Sequence, residues 1–188
     1  MFPFRDRTEA GRLLAATLRE FANRDDVVVL ALPRGGVPVG FEVAKALNAP
    51  LDVFVVRKLG LPGQEELAMG AIAAGGVRVL NDEVVRALDI SDEIVDAVAA
   101  KEERELERRE REYRGGRAPV DVRGRTVILI DDGLATGSSM RAAALAIRNK
   151  QPAQVVVAVP VGSPPHARSS SRKSIKWFAP LLRSHFGE

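Results

Sequence analysis

Four short apolar runs, rich in β-branched residues, divide this chain and limit its possible folds more than any other feature. They cover residues 27–32, 51–56, 127–130 and 155–161, and charged residues, glycine or proline bound them. Continuous apolar runs of this length are typical of strands buried on both faces. Helical patterns, as at residues 37–48, lie between them. This alternation predicts an α/β fold, a mostly parallel twisted sheet with helices on both faces.

The remaining elements follow from local signals. Thr8 is predicted to cap a helix that ends near Phe21, and Ser91 to cap a second helix. The latter half of that second helix, KEERELERRERE, is nearly all charged and indicates a solvated face. A third helix is predicted from Ser138 to Asn149. Charged pairs four residues apart support the second helix by a few tenths of a kcal/mol each, about as much as exposed pairs usually give.

Glycine and proline mark the predicted connections. Residues 58–66, KLGLPGQEE, are interrupted by both and are predicted to form a loop. Gly75 and Gly76 separate two apolar stretches and predict a hairpin. Residues 115–124 are predicted to be a linker.

The composition restricts the classes of protein considered. The 188 residues are 46% hydrophobic, which suits one domain over residues 1–165 with a tail at 166–188. No apolar stretch is long enough for a bilayer, and the first residues lack an export pattern, so we expect a cytoplasmic protein with no membrane partner. The chain has no cysteine, which excludes disulfides, thiolate metal sites and a thiol nucleophile.

The positive charge is confined to the tail. The net charge is +3, but the tail from His166 onward carries +4, which leaves −1 for residues 1–165. Binding to nucleic acid normally requires clustered lysine and arginine, so nucleic acid is an unlikely partner of the core. The tail is rich in serine and basic residues and is predicted to be disordered or loosely packed.

The stretch VILIDDGLATGSSM, residues 127–140, carries the strongest functional signal. Asp131 and Asp132 are like charges at the end of a buried strand, an arrangement that costs stability unless a ligand or cation compensates. The two vicinal hydroxyls of a ribose suit adjacent carboxylates. The small and hydroxyl-bearing residues that follow begin a helix, where backbone N–H groups favour a phosphate. The plainer alternative is a polar turn in which Asp132 only caps the helix.

Other anion-binding motifs do not fit this stretch. A P-loop needs Gly-Lys before its Ser or Thr, whereas Ser138 follows Gly137. A dinucleotide fold needs GxGxxG after its first strand, and GLATGSS lacks it. Phosphoacceptor receiver domains carry an acidic pair after their first strand, but here the pair ends a late strand.

The same stretch resembles the phosphoribosyl-pyrophosphate signature of type I phosphoribosyltransferases. The resemblance implies that Asp131 and Asp132 hold the ribose hydroxyls. It implies a 5′-phosphate loop made of Ala135, Thr136, Gly137, Ser138 and Ser139. The whole core also resembles a bacterial branch of this family whose members carry the motifs LPRGG, RK-GxPG and VDDGxATG.

Two further loops resemble pyrophosphate-binding parts of that family. PRGG follows the first strand, where Arg34 offers a forked cation and Gly35 and Gly36 allow a close backbone approach. Arg57 and Lys58 are predicted to end the second strand, with nothing obvious to neutralise them, and to open a flexible lid. Glu65 and Glu66 in that lid are expected to be a solvated pair rather than ligands of Mg²⁺ or of the acceptor.

The resemblance implies transfer of 5-phosphoribose from phosphoribosyl pyrophosphate to a nitrogen acceptor, with Mg²⁺ and release of pyrophosphate. Asp131, Asp132 and Arg34 are the expected catalytic residues, and Mg²⁺ is expected to bind mainly through the substrate, with Asp131 or Asp132 as a contributing ligand. Ala135 stands where hypoxanthine-guanine enzymes carry an aspartate, which argues against that subclass.

Several questions stay open at this stage. The acceptor is unknown, and the hood that would cover it is predicted from residues 1–25 and 77–120. The oligomeric state is open, with a homodimer among the alternatives. A regulator of the same fold that senses phosphoribosyl pyrophosphate and binds RNA or protein is a second hypothesis, and a catalytically silent relative is a third.

Overall fold

The computed structural model describes residues 4–134, 138–162 and 176–178. Its elements, in chain order, are α1 (Arg7–Thr17), β1 (Val27–Ala31), α2 (Gly36–Leu47), β2 (Leu51–Val53), β3 (Val56–Leu61), β4 (Gln64–Ala73), β5 (Val77–Leu80), α3 (Asp82–Ala87), α4 (Asp92–Arg114), β6 (Thr126–Ile130), α5 (Ser138–Asn149), β7 (Gln154–Ala158) and β8 (Lys176–Phe178). A short 3₁₀ turn, Arg19–Phe21, follows α1.

The central sheet has the order β2–β1–β6–β7–β8, and every neighbouring pair is parallel. β1 and β6 pair from Val27 opposite Thr126 to Ala31 opposite Ile130. Their carboxyl ends therefore lie side by side. The predicted α/β class with a parallel sheet is confirmed.

Both faces of the central sheet are buried, because alternate residues of each strand point to opposite sides. One face packs against α1 and α2 through Val27, Val29, Ile128, Ile130, Val156 and Ala158. The other face packs against α4, α5 and the strands β3 and β4 through Val28, Leu30, Val127, Leu129, Val155 and Val157. The continuous apolar runs of the sequence follow from this burial on two sides.

A second sheet, antiparallel with the order β3–β4–β5, differs from the sequence prediction. The predicted second strand is split, since β2 ends at Val53 and β3 begins at Val56. The prediction of a loop at residues 58–66 was wrong. This segment belongs to a hairpin of β3 and β4, and its glycines lie at the turn and at an irregularity in β3. Gly63 takes a φ of 79° at the turn, and the strand register shifts on both sides of Gly60. The hairpin at Gly75 and Gly76 is confirmed.

The helices lie close to the predicted segments, but the cap of α1 was wrong. Asp6, not Thr8, is the N-cap, and its Oδ1 accepts a hydrogen bond from the N–H of Glu9 at 2.8 Å. α4 is largely solvated, as predicted, and Arg109 pairs with Glu105 on its surface. Its charged half nevertheless buries Leu106 and Arg114, which tie it to the core.

The tail is described only at Lys176–Phe178, which form β8 beside β7. For these three residues the structure differs from the expected disorder, and the rest of the tail lies outside the described residues. The division at residue 165 and the hood at residues 1–25 and 77–120 stay predictions. In the described ranges, no helix is long and apolar enough to cross a membrane.

Candidate functional site

Two adjacent carboxylates lie directly after β6, which ends at Ile130. The backbone N–H of Asp132 donates to Oδ1 of Asp131 at 2.8 Å. Burial raises the pKa of Asp131 to about 7, and the charge of Asp132 acts in the same direction, whereas the N–H of Asp132 acts against it. Ionising both carboxylates at this position therefore lowers the stability of the folded state, and a bound cation or hydroxyl donors would offset this loss.

The glycine loop after β1 lies against this acidic pair. A Cβ atom on Gly35 would lie 2.2 Å from Oδ2 of Asp132, and one on Gly36 would lie 2.7 Å from the carbonyl oxygen of Ile130. Neither position has room for a side chain. The N–H of Leu32 donates to the carbonyl of Ile130 at 2.8 Å and extends the pairing of β1 with β6 into this loop. The two loops thus meet at the carboxyl ends of neighbouring strands, while their binding roles stay predictions.

The predicted 5′-phosphate loop is described only in part. Ala135, Thr136 and Gly137 lie outside the described residues, and α5 begins at Ser138. Just before the gap, the N–H of Leu134 donates to the carbonyl of Val161 at 3.1 Å. Ser139 is half-buried and lines a cavity, so the start of α5 borders open space.

That cavity has a volume of about 710 Å³ and lies between the β3–β4 hairpin, α4 and the start of α5. This volume is in the range of small-molecule sites. The residues that line it are Val56, Arg57, Lys58, Gly60, Pro62, Gly63, Glu65, Ala97, Val98, Lys101, Glu102 and Ser139. Several of these side chains are charged, and none is aromatic.

The environment of Arg57 differs from the sequence expectation. Arg57 and Lys58 lie in β3, past the end of the second parallel strand. Arg57 was expected to lack a neutralising partner, but its Nη2 lies 2.6 Å from Oε2 of Glu102 on α4. Because Glu102 is 45 residues away in the chain, no local pattern indicated this pair. Across the described ranges, no carboxylate pairs with Lys58 or Arg34.

Arg7 is a second residue at the site that the sequence analysis missed. As the first residue of α1, it places its Nη2 2.7 Å and its Nε 2.9 Å from Oδ2 of Asp132. The two residues are 125 positions apart in the chain, so only the tertiary structure brings them together. The acidic pair is thus flanked by the glycine loop on one side and by a guanidinium on another.

Asp131→Asn is expected to stabilise the protein at pH 8. The folded-state pKa of about 7 lies above the ordinary value of 3.8. The stability that protonated Asp131 contributes is therefore complete below about pH 4 and is lost as the pH rises through 7. Asparagine keeps an oxygen for the N–H of Asp132 without the charge. We expect the free energy of unfolding to rise by about 1–3 kcal/mol at pH 8, given about 1.4 kcal/mol per pKa unit less solvent screening.

Urea unfolding at pH 8 and pH 4 measures this effect. The stabilisation should shrink toward zero at pH 4, where the wild-type carboxyl is neutral. Asp25→Asn removes an exposed carboxylate just before β1 and serves as the control, with no change expected at either pH. Equal stability of wild type and Asp131→Asn at pH 8 would contradict the burial of this charge.

Comparisons with known proteins identify the family of this chain. The family model described as "Phosphoribosyl transferase domain" matches residues 7–180. Two curated Mycobacterium tuberculosis proteins, "Putative phosphoribosyl transferase Rv0571c" and its counterpart MT0597, are 53% identical to this chain over 159 residues. The match covers 85% of this chain but only 36% of those relatives, so the chain spans about a third of their length.

Solved structures give the same fold. TT1426 from Thermus thermophilus is 41% identical, with a TM-score of 0.76, and the match covers 98% of this chain and 87% of that one. A hypoxanthine-guanine phosphoribosyltransferase from Bacillus anthracis is 11% identical, with a TM-score of 0.50 and coverage of 94% and 78%, which indicates a shared fold alone. The chain belongs to the phosphoribosyltransferase family and has the type I fold that its sequence predicted.

Proposed function

We propose that this chain transfers 5-phosphoribose from phosphoribosyl pyrophosphate to a nitrogen acceptor and releases pyrophosphate. One observation carries the proposal: the acidic pair after β6 lies in contact with the glycine loop after β1. The two are so close that a Cβ atom on Gly35 would collide with the carboxylate of Asp132. A ribose over the carboxylates would then hold its diphosphate beside backbone N–H groups and Arg34. Ligands of open α/β sheets bind at this edge.

Each part of the site has a distinct role in this proposal. Asp131 and Asp132 accept hydrogen bonds from the ribose hydroxyls, and residues 135–139 bind the 5′-phosphate at the start of α5. Displacement at the anomeric carbon builds positive charge on the sugar and negative charge on the diphosphate, so catalysis depends on positioning and on cations. Gly35 and Gly36 let the backbone approach the diphosphate closely. The cations for it are Arg34, Lys58 and the Nη1 edge of Arg57 that Glu102 leaves unused.

The residues at the acidic pair fit a role for Mg²⁺. This ion prefers oxygen ligands and commonly takes one or two carboxylates together with substrate phosphates. The described residues contain no group of three metal-binding side chains, and Asp131 and Asp132 supply the carboxylates that would complete a substrate-held ion. When bound, Mg²⁺ would neutralise part of the charge on the departing diphosphate.

The cavity beside α4 is the proposed acceptor site. Ser139, which belongs to the predicted 5′-phosphate loop, is part of its lining, so an acceptor bound there would lie close to the phosphoribose. Its described lining holds no aromatic side chain on which a base could stack. In this proposal Lys101 donates a hydrogen bond to the acceptor and Glu65 accepts one from it. The sequence had favoured a purely solvated Glu65, but this residue lines the cavity.

The function is tested by donor binding and by pyrophosphate release. Calorimetry should detect binding of the magnesium-loaded donor, and a panel of purines, pyrimidines and simple amines should contain at least one acceptor that releases pyrophosphate. Donor binding without release across the panel would favour the sensor of the same fold. Absence of donor binding by well-folded protein would contradict the proposal.

Asp132→Asn and Arg34→Ala are each expected to lower turnover at least about tenfold, because a hydrogen bond to a charged group contributes roughly 1.5–3 kcal/mol. Pyrophosphate release with the best acceptor measures this loss. Arg24→Ala provides the control, since Arg24 precedes β1 at the opposite end of the strand and pairs with Asp26. Full activity of both site variants would contradict their assignment.

A further inference from the structure

The contact between Arg7 and Asp132 joins the first turn of α1 to the acidic pair. Two guanidinium nitrogens, Nε and Nη2, lie 2.9 and 2.7 Å from the same carboxylate oxygen, Oδ2. The Arg7 side chain is 60% exposed and that of Asp132 is 33% exposed. The pair is thus open to solvent, where a ligand could reach it.

The backbone of Arg7 is held firmly, although its side chain is exposed. Asp6 caps α1, and Leu14 and Leu18, at the end of the helix, are fully buried against the core. Gly11 lies so close to α2 that a Cβ atom there would come within 2.8 Å of the carbonyl oxygen of Val39. α2 itself begins at Gly36, in the glycine loop. The Arg7 guanidinium therefore extends from a helix that packs against α2, the helix that begins in the glycine loop.

The pairing leaves hydrogen-bonding groups unused on both partners. Arginine has five N–H donors in a fixed fork, and Asp132 engages only the Nε and Nη2 side of Arg7. Neither contact of Arg7 involves Oδ1 of Asp132, and the side chain of Asp131 lies close enough to this carboxylate to share a hydrogen bond when one of the two is protonated. Oδ1 is thus available to a sugar hydroxyl while Oδ2 is held.

A fixed carboxylate suits the binding of a pentose better than a freely rotating one. Charge-assisted hydrogen bonds restrict the Asp132 side chain before the ligand arrives, which reduces the entropy lost on binding. The positive charge of Arg7 also offsets the repulsion between the acidic pair and an anionic donor. No local sequence pattern points to this role.

Resting on the proposed function, we propose that Arg7 is a positioning residue of the donor site, which holds Oδ2 of Asp132 so that Oδ1 can accept a ribose hydroxyl. The opposite role is autoinhibition, in which Arg7 occupies Asp132 and must leave before the donor binds. The two roles predict opposite signs when Arg7 is removed.

The test compares donor affinity by calorimetry in Arg7→Ala, Arg7→Lys and a matched control, Arg12→Ala. Arg12 lies on the same helix and also forms an exposed ion pair, with Glu42 on α2, but it is not at the acidic pair. We expect Arg7→Ala to weaken donor binding at least about fivefold, as loss of a charge-assisted hydrogen bond does, and Arg7→Lys to recover part of the loss. Arg12→Ala should bind the donor as wild type does. Thermal midpoints of all variants should agree within about 2 °C, because exposed ion pairs add little stability.

A double-mutant cycle tests whether Arg7 affects donor binding through Asp132. In the Asp132→Asn background, Arg7→Ala should weaken donor binding less than about twofold further, because residues in contact are not additive. If the double variant loses donor affinity by the product of the two single losses, Arg7 does not act through Asp132 and the proposal is overturned. Unchanged or tighter binding in Arg7→Ala would overturn the proposal and leave the function intact. Absence of donor binding by wild type would overturn both the function and the role of Arg7.

Discussion

Replacing Gly35 with alanine is expected to lower kcat/KM for the donor at least about a hundredfold, because displacements of about 1 Å in a catalytic group can have effects of this size. The added Cβ atom would lie 2.2 Å from Oδ2 and 2.4 Å from Cγ of Asp132. The carboxylate must therefore move away from the glycine loop. Its contact with Arg7 and its reach toward a sugar hydroxyl would both be lost. Steady-state kinetics with the best acceptor measures the effect, and donor calorimetry measures it without an acceptor.

Gly133→Ala is the matched control for this substitution. Gly133 directly follows the acidic pair, yet among the described residues a Cβ atom there meets only the carbonyl oxygen of Val161, at an ordinary contact distance of 3.5 Å. We expect its donor affinity to stay close to that of wild type. If Gly35→Ala binds the donor as well as Gly133→Ala does, the close approach of the two loops is unimportant for binding.

Arg114→Ala is expected to destabilise the protein by about 3–5 kcal/mol, the usual cost of removing one partner from a buried ion pair. The Arg114 side chain is 8% exposed and pairs with Asp52, at 3.2 Å, and with Glu110, at 3.0 Å. Its Nη2 also donates to the carbonyl of Val53 at 2.8 Å. The substitution would leave the largely buried carboxylate of Asp52, in β2, without its cation.

Chemical unfolding measures this loss, which is a large part of the roughly 5–15 kcal/mol that stabilises a typical domain. Arg108→Ala on the same helix is the control. Arg108 is 56% exposed and pairs with Glu105 and Glu112 on the surface of α4. Its removal should leave the unfolding midpoint unchanged, because solvent screens such pairs. Equal midpoints for the two variants would show that Arg114 does not anchor α4.

The sequence predicted the central sheet well because its strands are buried on both faces. β1 and β6 lie within two residues of the apolar runs that indicated them. The positions of the acidic pair and the glycine loop directly after buried strands were also predicted, whereas the pairing of those two strands, which brings the loops together, came from the structure. The predicted positions need only local patterns and the general geometry of α/β sheets.

The second sheet and the ion pairs of the site could not be predicted from the sequence. Gly60, Pro62 and Gly63 indicate a loop locally, and the β3–β4 hairpin forms there because β5, α4 and α5 cover its strands. The partners of Arg57 and Asp132 are 45 and 125 residues away, so nothing local indicated them. Charged residues outside a recognisable motif acquire their roles from the tertiary structure alone.

The entry and the exit of the segment that carries the second sheet and α4 lie side by side. β2 leads into this segment at Val53, and the chain returns at Val120, whose N–H donates to Oδ2 of Asp52 at 3.1 Å. Segments whose ends meet are commonly tolerated as insertions, and a replacement here would also have to match the face of the central sheet on which this segment packs. A chimaera that exchanges this segment would replace most of the cavity wall, while the acidic pair and the glycine loop belong to the retained part of the chain. Because Arg57 and Lys58 lie in this segment, such an exchange would transfer the proposed acceptor site together with two of the cations proposed for the diphosphate.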